Sequence, residues 1–132
     1  MTGQRGEFRG KYKVGVTDGI VTGVDYMLYK NGGFNTDASP DILTCALIHI
    51  DNCYKFANFH GTGKVAKTNT PSNTAFRAYG APPAFAITEN MMFNVATELK
   101  LDQIDFRRKE ELLQGRRCNS FWTSVERRRC YF

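Results

Sequence analysis

The segment from Ile42 to Ile50 restricts the fold of this chain most, because it is almost continuously apolar. Only Thr44 and His49 interrupt the apolar residues. Ser39 and Pro40 stand just before it, which predicts a helix with Ser39 as its cap and Pro40 at its first position. A helix that is apolar on most sides is stable only when other elements cover it. We therefore expect this helix to be buried by the remaining elements of the fold.

The residues before this helix predict an antiparallel β-hairpin. From Phe8 to Val16 apolar and polar residues alternate, which is typical of a half-buried strand. A second strand is predicted from Ile20 to Tyr29, and Asp18 and Gly19 between the two strands form a dipeptide typical of hairpin turns. The run Asn31-Gly32-Gly33 then ends the second strand.

The residues after the helix predict a strand, a long loop and a second helix. We expect the strand within residues 60–70 and the loop over residues 70–83, which hold two aromatic residues and one arginine. A loop of this length in a compact domain is usually functional. Pro82 and Pro83 introduce the second helix, predicted from Ala84 to Lys100, whose methionines indicate a core face rather than a cofactor contact.

A short third helix is predicted to begin at Asp102, whose side chain can cap it, with Ile104 and Phe106 facing inward. Beyond residue 110 no periodicity continues, so we expect an irregular tail. Taken together, these patterns predict an α+β fold. It consists of an N-terminal antiparallel β-hairpin, a buried helix, a strand, a long loop and two C-terminal helices.

The net charge of +5 is concentrated near the C-terminus. Residues 111–132 hold five arginines and two glutamates, and we expect this divergent basic tail to be disordered. A nucleic-acid-binding patch is one interpretation of the tail. A solvated terminal segment is the other, and it is favoured because no alternation of aromatic and basic residues extends into residues 1–110. We therefore expect nucleic acid not to be a partner.

The cysteines permit two interpretations. Cys45, His49 and Cys53 are spaced four apart, so they can share one face of a helix and bind a metal ion. A fourth ligand is not evident, which favours a small buried thiol and a hydrogen-bonded histidine instead. Four cysteines without a CxxC pair indicate a reducing, cytoplasmic compartment. No apolar run approaches 18 residues, so no membrane span is expected.

Several linked motifs closely resemble the molybdenum-cofactor domain of the xanthine dehydrogenase and aldehyde oxidase family. They occur in the family's order over residues 1–110, without large gaps. The motifs are Thr2-Gly3-Gln4-Arg5, Gly10-Lys11-Tyr12-Lys13-Val14-Gly15, Asn31-Gly32-Gly33, Asp51-Asn52-Cys53-Tyr54-Lys55, Gly61-Thr62-Gly63, Lys67-Thr68-Asn69, Ser72-Asn73-Thr74-Ala75-Phe76-Arg77-Ala78-Tyr79-Gly80-Ala81-Pro82 and Phe106-Arg107-Arg108-Lys109.

The resemblance implies that the chain is a fragment of the molybdopterin-binding domain of a molybdenum hydroxylase. Members of this family hydroxylate aldehydes or N-heterocycles such as purines, with oxygen derived from water. Their molybdenum is held by a pterin dithiolene, and iron–sulfur clusters and FAD in the parent enzyme carry the electrons away. The implied partners are the remainder of the parent enzyme, which is usually homodimeric in this family, and the aldehyde or heterocyclic substrate.

The resemblance also implies roles for residues of the long loop. Arg77 matches the family's cofactor-contacting arginine, near the molybdenum but not a side-chain ligand of it. Phe76 matches an aromatic residue beside the cofactor and the substrate cavity, and Gly80 allows a close backbone approach. Tyr79 stands where the family has a phenylalanine that stacks on the planar substrate. Pro83 stands where the family usually has glutamine.

The position of Cys45 bears on the substrate class. Xanthine dehydrogenases carry an arginine at the matching position, which binds the purine, and a cysteine cannot replace those charge-assisted hydrogen bonds. This departure favours aldehydes. His49 and the run from Asp51 to Lys55, however, look more like xanthine dehydrogenases, so both substrate classes stay open.

No catalytic residue is assigned. The family's catalytic base is a glutamate near the far end of the domain, and none of the following matches it: Glu89, Glu98, Glu110 and Glu111. Glu89 is expected to be a surface carboxylate. We therefore expect this chain to be inactive alone. The alternative is a non-enzymatic truncated paralogue or interaction fragment, whose apolar first helix and methionine-rich face would need a partner.

Overall fold

The structure is a computed structural model and describes residues 4–111. It contains three strands and three helices in this range, which confirms the predicted α+β fold. The predicted tail, together with its disorder and its arginine cluster, lies outside the described residues. The elements are β1 (Phe8–Thr17), β2 (Ile20–Gly33), α1 (Ser39–Ile48), β3 (Phe59–Lys67), α2 (Ala81–Glu98) and α3 (Gln103–Glu110).

The hairpin of β1 and β2 is confirmed. The two strands pair antiparallel, from Phe8 opposite Lys30 to the turn. Asp18 and Gly19 have φ angles of 54° and 72°, which both central residues of a type I′ turn require. Such a turn matches the right-handed twist of the strands, and this explains the preference for aspartate followed by glycine here.

The third strand, β3, pairs parallel to β2 and completes a sheet of order β1-β2-β3. It covers most of the predicted strand but begins at Phe59 and ends at Lys67, and periodicity could not predict its partner or its direction. Parallel neighbours need a crossover connection, and α1 lies in the connection between β2 and β3. Most of the apolar segment from Ile42 to Ile50 thus lies in the crossover helix.

The helices cover one face of the sheet. Alternate residues of β1 are exposed, which leaves the other face open within residues 4–111. The methionine-rich face of α2 is core, as predicted. The buried core residues are Val21, Val24, Tyr26, Leu28, Ile42, Leu43, Ala46, Ile50, Tyr54, Phe56, Ala84, Met91, Met92, Ala96 and Phe106. In this part of the chain no helix is long and apolar enough to cross a membrane.

The predicted helix cap at Ser39 is wrong. Ala38 occupies the cap position, and Ser39 is fully buried within the first turn. The Ser39 hydroxyl oxygen accepts a hydrogen bond of 2.8 Å from the ammonium of Lys30, which is itself buried. Burial lowers the pKa of Lys30, so each acceptor around its ammonium matters. Pro40 lies in the first turn, but one position later than predicted, because Ser39 is itself the first helical residue.

The third helix is capped by Asp102, as predicted, because its carboxylate accepts from the backbone N–H groups of Ile104 and Asp105. The expectation that Ile104 faces inward is wrong, since 60% of its surface is exposed. This eight-residue helix docks along a single line formed by Phe106 and Glu110, one turn apart, and Ile104 lies off that line.

Buried Glu110 makes the stability of the chain depend on pH. Its Oε1 accepts a hydrogen bond of 2.8 Å from the backbone N–H of Val21, and burial raises the pKa of this carboxyl group above 4.5. Below pH 4.5 both folded and unfolded chains bind the proton. As pH rises from there through the raised pKa, the unfolded chain releases its proton first, so the stability contribution of Glu110 is lost.

We therefore expect Glu110→Gln, which keeps an acceptor oxygen but carries no charge, to remove this decline. The free energy of unfolding, measured in urea at pH values from about 4 to about 7, should shift in favour of the variant as pH rises. Exposed Glu98→Gln is the matched control and should follow the parent chain. Parallel pH profiles for the parent and Glu110→Gln would contradict the expectation.

Candidate functional site

The loop between β3 and α2 is anchored to the end of β2 and to the N-terminal segment. Its Asn73 donates to the carbonyl oxygen of Asn31 from the side-chain amide at 3.1 Å, and to that of Gly32 from the backbone N–H at 3.2 Å. The N–H of Thr74 donates to the carbonyl oxygen of Gln4 at 3.1 Å. Residues far apart in sequence therefore hold the base of the loop.

The tip of the loop, residues 76–79, has a strained backbone. Ala78 and Tyr79 have φ angles of 65° and 52°, in the left-handed region that residues other than glycine seldom adopt. Such strain persists only where surrounding contacts maintain it, and it is common at functional sites. Phe76, Arg77 and Tyr79 are all exposed, with 56% of the Phe76 surface and 41% of the Tyr79 surface accessible. The tip therefore presents two aromatic rings and one cation to solvent.

Arg5 contacts the tip from the N-terminal segment. Its guanidinium donates to the carbonyl oxygen of Tyr79 and, at 2.6 Å, to that of Arg77. It also lies 5.2 Å from the centre of the Phe76 ring, in cation–π range. Sequence reasoning assigned Arg5 no role beyond membership of a motif, because no local pattern indicates a contact across more than 70 residues.

Gly80 ends the loop against α1. A Cβ atom at Gly80 would lie 2.7 Å from the backbone nitrogen of Ala46 and closer still to the carbonyl oxygen of Ile42. The close approach expected of Gly80 is therefore made to α1. The same turn of α1 carries Cys45, so the fold brings Cys45 near the end of the loop. Cys45 is half-buried, and its sulfur lies 3.7 Å from Nδ1 of His49.

The less favoured interpretation, in which Cys45, His49 and Cys53 share one helical face, is wrong. The helix ends at Ile48, and Cys53 lies in the following turn. Cys53 is also exposed rather than buried, and His49 bonds to the carbonyl oxygen of Cys45 at 2.8 Å. Within residues 4–111 there is no group of three or more histidine, cysteine, aspartate or glutamate side chains arranged to hold a metal ion.

Glu89, expected to be a surface carboxylate, is partly exposed but also accepts three side-chain hydrogen bonds. Its Oε1 accepts from the Asn52 amide at 2.9 Å and from the Tyr54 hydroxyl at 2.7 Å, and its Oε2 accepts from Nε of Arg107 at 3.1 Å. Burial and the Glu89 carboxylate together raise the pKa of Tyr54, which stays protonated as a donor. One carboxylate of α2 thus joins α3 and the turn after α1. The sequence positions of Glu89 and its three partners follow no pattern from which this hydrogen-bond network could be predicted.

The tip can bind an anionic or carbonyl-bearing ligand. Within the described part of the chain, neither the guanidinium of Arg77 nor the backbone N–H groups of Arg77 and Ala78 has a hydrogen-bond partner. One exposed cation and two neighbouring amide donors thus remain available beside two aromatic rings. Cationic and amide donors of this kind suit phosphate groups and the polar edge of a planar heterocycle.

Relatives in sequence are xanthine dehydrogenases. The chain is 41% identical over 137 residues to xanthine dehydrogenase of Oryza sativa subsp. japonica, a match that covers 95% of this chain and 10% of the relative. It is 43% identical over 116 residues to xanthine dehydrogenase/oxidase of Rattus norvegicus, covering 87% of this chain and 9% of the relative. The chain therefore spans about a tenth of the length of these relatives.

Solved structures share the fold. The aldehyde oxidoreductase from Desulfovibrio gigas superposes with a TM-score of 0.79 at 24% identity, over 87% of this chain and 13% of that protein. Quinoline 2-oxidoreductase from Pseudomonas putida 86 superposes with a TM-score of 0.71 at 17% identity, over 83% of this chain and 14% of that protein. At these identities the likeness concerns the fold alone.

A family model also matches most of the chain. The family is described as the molybdopterin cofactor-binding domain, and the match covers residues 1–110. This range coincides with the part of the chain in which the motifs occur in order. The family match, the relatives at about 41% identity and the shared fold agree with one another. The chain therefore belongs to the molybdopterin cofactor-binding domain family.

Proposed function

We propose that this chain is the part of a molybdenum hydroxylase that contacts molybdopterin and lines the substrate cavity. The observation that carries the proposal is the strained tip of residues 76–79. It holds the exposed Arg77 and two aromatic rings, and the backbone N–H groups of Arg77 and Ala78 have no hydrogen-bond partner within the described residues. This donor set fits a cofactor that combines an anionic phosphate with a planar pterin. Residues 1–110 would then be a partial cofactor-binding domain, and the roles of single residues follow from the tip.

Each residue of the tip has one task in this proposal. Arg77 binds the cofactor through its cation and its backbone N–H near the molybdenum, without being a ligand of the metal. Phe76 lies beside cofactor and substrate, and Tyr79 stacks on the planar substrate. Gly80 keeps the loop close to α1. The cofactor, when bound, supplies the two-electron oxidation chemistry, and the iron–sulfur clusters and FAD of the parent enzyme accept the electrons.

Cys45 favours an aldehyde over a purine as the substrate. It lies on the turn of α1 that touches Gly80, and its thiol cannot form the bidentate, charge-assisted hydrogen bonds with which an arginine binds a purine. His49 and the run from Asp51 to Lys55 still resemble the xanthine dehydrogenase type, so an N-heterocycle remains the second substrate class. We further propose that the parent enzyme is a cytoplasmic homodimer, and that this chain is inactive without the remainder of it.

A chimeric enzyme tests this function. Residues 1–110 of this chain would replace the matching segment of rat xanthine dehydrogenase/oxidase, which is 43% identical over 116 residues. The chimera should retain molybdenum and oxidise an aromatic aldehyde faster than a purine. Arg77→Ala in the chimera should lower the molybdenum content per enzyme about tenfold, because a charge-assisted contact to the cofactor is lost.

Arg9→Ala is the matched control, because Arg9 is an exposed arginine of β1 whose side chain makes no hydrogen bond or ion pair within residues 4–111. Molybdenum is measured by mass spectrometry of the purified enzyme, and oxidation by dye reduction. Equal molybdenum contents for Arg77→Ala and Arg9→Ala would contradict the assignment of Arg77. A chimera that holds no molybdenum, although it folds, would contradict the proposed function as a whole.

The non-enzymatic alternative loses one of its supports. It was expected that α1 and the methionine-rich face of α2 would need a partner. Instead these faces bury one another, and Ile42, Met91 and Met92 are covered within the chain. Exposed Phe34 and Phe93 are compatible with contact to the remainder of an enzyme and equally with contact to another partner, so they do not separate the two functions. The chimera does separate the enzymatic function from the non-enzymatic one. A fragment that only binds another protein is not expected to support molybdenum binding in the chimera.

A further inference from the structure

We infer that Arg5 is a positioning residue, which holds the tip of residues 76–79 in the conformation that exposes its N–H groups to a ligand. This inference rests on the proposed function for its consequence, but its geometry is independent of any cofactor. The guanidinium donates to the carbonyl oxygens of Arg77 and Tyr79 and stacks on Phe76. Arg5 thus contacts three of the four residues of the tip.

The left-handed backbone of the tip needs an external support. Ala78 and Tyr79 have side chains, so their positive φ angles cost free energy that contacts must offset. Inside the tip, the described residues form a single hydrogen bond, from the N–H of Tyr79 to the carbonyl oxygen of Phe76 at 2.7 Å. The two bonds from Arg5 flank Ala78 on both sides, at the carbonyls of the preceding and the following residue.

Contacts to the base of the loop do not replace this support. Asn73 and Thr74, three and two residues before the tip, anchor the base to the end of β2 and to Gln4. On the other side Gly80 is fixed against α1. Between these two anchors, Arg5 supplies the side-chain contacts of the tip found within residues 4–111.

The planar fork of arginine is required for this task. The two terminal nitrogens of one guanidinium lie at a fixed distance from each other and form this fork. They can therefore donate at the same time to the carbonyl oxygens of Arg77 and Tyr79. A lysine ammonium would keep the charge but could not keep the same paired geometry. Without the fork, we expect the peptide groups around Ala78 to rotate toward ordinary φ angles. The N–H groups of Arg77 and Ala78 would then change direction with the peptide groups that carry them.

Trypsin digestion of the full 132-residue chain tests the inference without any cofactor. Trypsin cuts after Arg77 only when the tip opens into an extended strand, so the cleavage rate reports how firmly the tip is held. We expect Arg5→Met to raise cleavage after Arg77 about tenfold, relative to cleavage after exposed Lys100 in the same sample. Arg5→Lys should behave like Arg5→Met, since it lacks the fork.

Taking the ratio to Lys100 removes any effect of global unfolding, which would raise cleavage at both places. Arg9→Met, an equal change of charge on the exposed surface of β1, should leave the ratio unchanged. An unchanged ratio in Arg5→Met would overturn the inference, and a ratio restored by Arg5→Lys would overturn the role of the fork.

The link to function is tested in the chimeric enzyme. Arg5→Met should lower its molybdenum content severalfold while iron and FAD contents stay unchanged, which a general folding defect would not do. A faster cleavage after Arg77 together with an unchanged molybdenum content would retain Arg5 as the support of the tip but refute its role in cofactor binding. The chimera can lack molybdenum while Arg5→Met still speeds cleavage after Arg77 in the 132-residue chain. That combination would refute only the proposed function.

Discussion

Gly80→Ala is expected to destabilise the chain by about 3 kcal/mol or more, because the added methyl group would overlap backbone atoms of α1. The added Cβ would lie 2.7 Å from the backbone nitrogen and 2.9 Å from the Cβ of Ala46, and nearer still to the carbonyl oxygen of Ile42. Backbone atoms of a helix cannot move aside as a flexible side chain can. The variant must therefore separate α1 from the start of α2, which opens the core between them.

Urea unfolding followed by circular dichroism measures this loss. Gly15→Ala is the matched control, because a Cβ there would meet its nearest atom, Oγ1 of Thr22, at 3.4 Å. That contact is ordinary, and alanine is a better strand residue than glycine, so the control should be neutral or slightly stabilising. If Gly80→Ala unfolds at the same urea concentration as Gly15→Ala, the close packing of the loop against α1 is wrong.

Removing the carboxylate of Glu89 should have the second-largest effect. Glu89→Ala deletes the acceptor of three hydrogen bonds, from Asn52, Tyr54 and Arg107. The Tyr54 ring is buried, so its hydroxyl loses a partner that water replaces poorly. The ion pair with Arg107 contributes less, since 40% of the Glu89 side chain is exposed and solvent screens it. We expect a loss of about 2 kcal/mol in the free energy of unfolding.

Glu98→Ala provides the comparison on the same helix. Glu98 is exposed, and no residue in the described range bonds to its carboxylate. Its replacement should change the unfolding free energy by less than about 0.5 kcal/mol. Glu89→Gln adds a second test, because the glutamine amide keeps one acceptor oxygen but lacks the negative charge that pairs with Arg107. It should fall between the parent and Glu89→Ala, and an effect of Glu89→Ala no larger than that of Glu98→Ala would refute the network.

Both predictions concern the packing of α2 against the rest of the fold. They also bear on the candidate site, because the tip leads directly into α2. Gly80 joins the tip to the first turn of α2, and Glu89 fixes the middle of the helix to α3 and to the turn after α1. A variant that shifts α2 would also move the end of the tip. We therefore expect the core and the site to be coupled. Substitutions that loosen the packing of α2 should displace Gly80 and, with it, the tip that carries Arg77.

Local sequence patterns predicted the elements that depend on neighbouring residues. Asp18 and Gly19 predicted the hairpin because both can adopt positive φ angles, and the structure confirms it. Asp102 predicted the start of α3 through a cap that needs only the next three residues. The methionines of α2 were assigned to the core on hydrophobicity and spacing, and Met91 and Met92 are fully buried. These signals lie within a few residues, which is why the sequence carries them.

Contacts between distant residues could not be predicted in this way. The buried ammonium of Lys30 takes the hydroxyl of Ser39 as its acceptor, so Ser39 does not cap α1. Ile104 is exposed because the docking of α3 as a whole, and not its own apolar character, decides which side faces the core. In each case a tertiary partner overrides a local preference, since burial of a charge or of a helix face involves larger free energies than one cap or one side chain.

The sequence by itself determined the α+β content, the hairpin turn and the motifs that connect residues 1–110 with the molybdopterin cofactor-binding domain family. These follow from local backbone preferences and from residues that stay in order along the chain. Only the tertiary structure decided that β3 runs parallel to β2, that Glu89 gathers three donors and that Arg5 holds the tip. Such pairings and hydrogen bonds join residues that are distant in sequence and meet only in the folded chain. Local spacing in the sequence therefore cannot predict them.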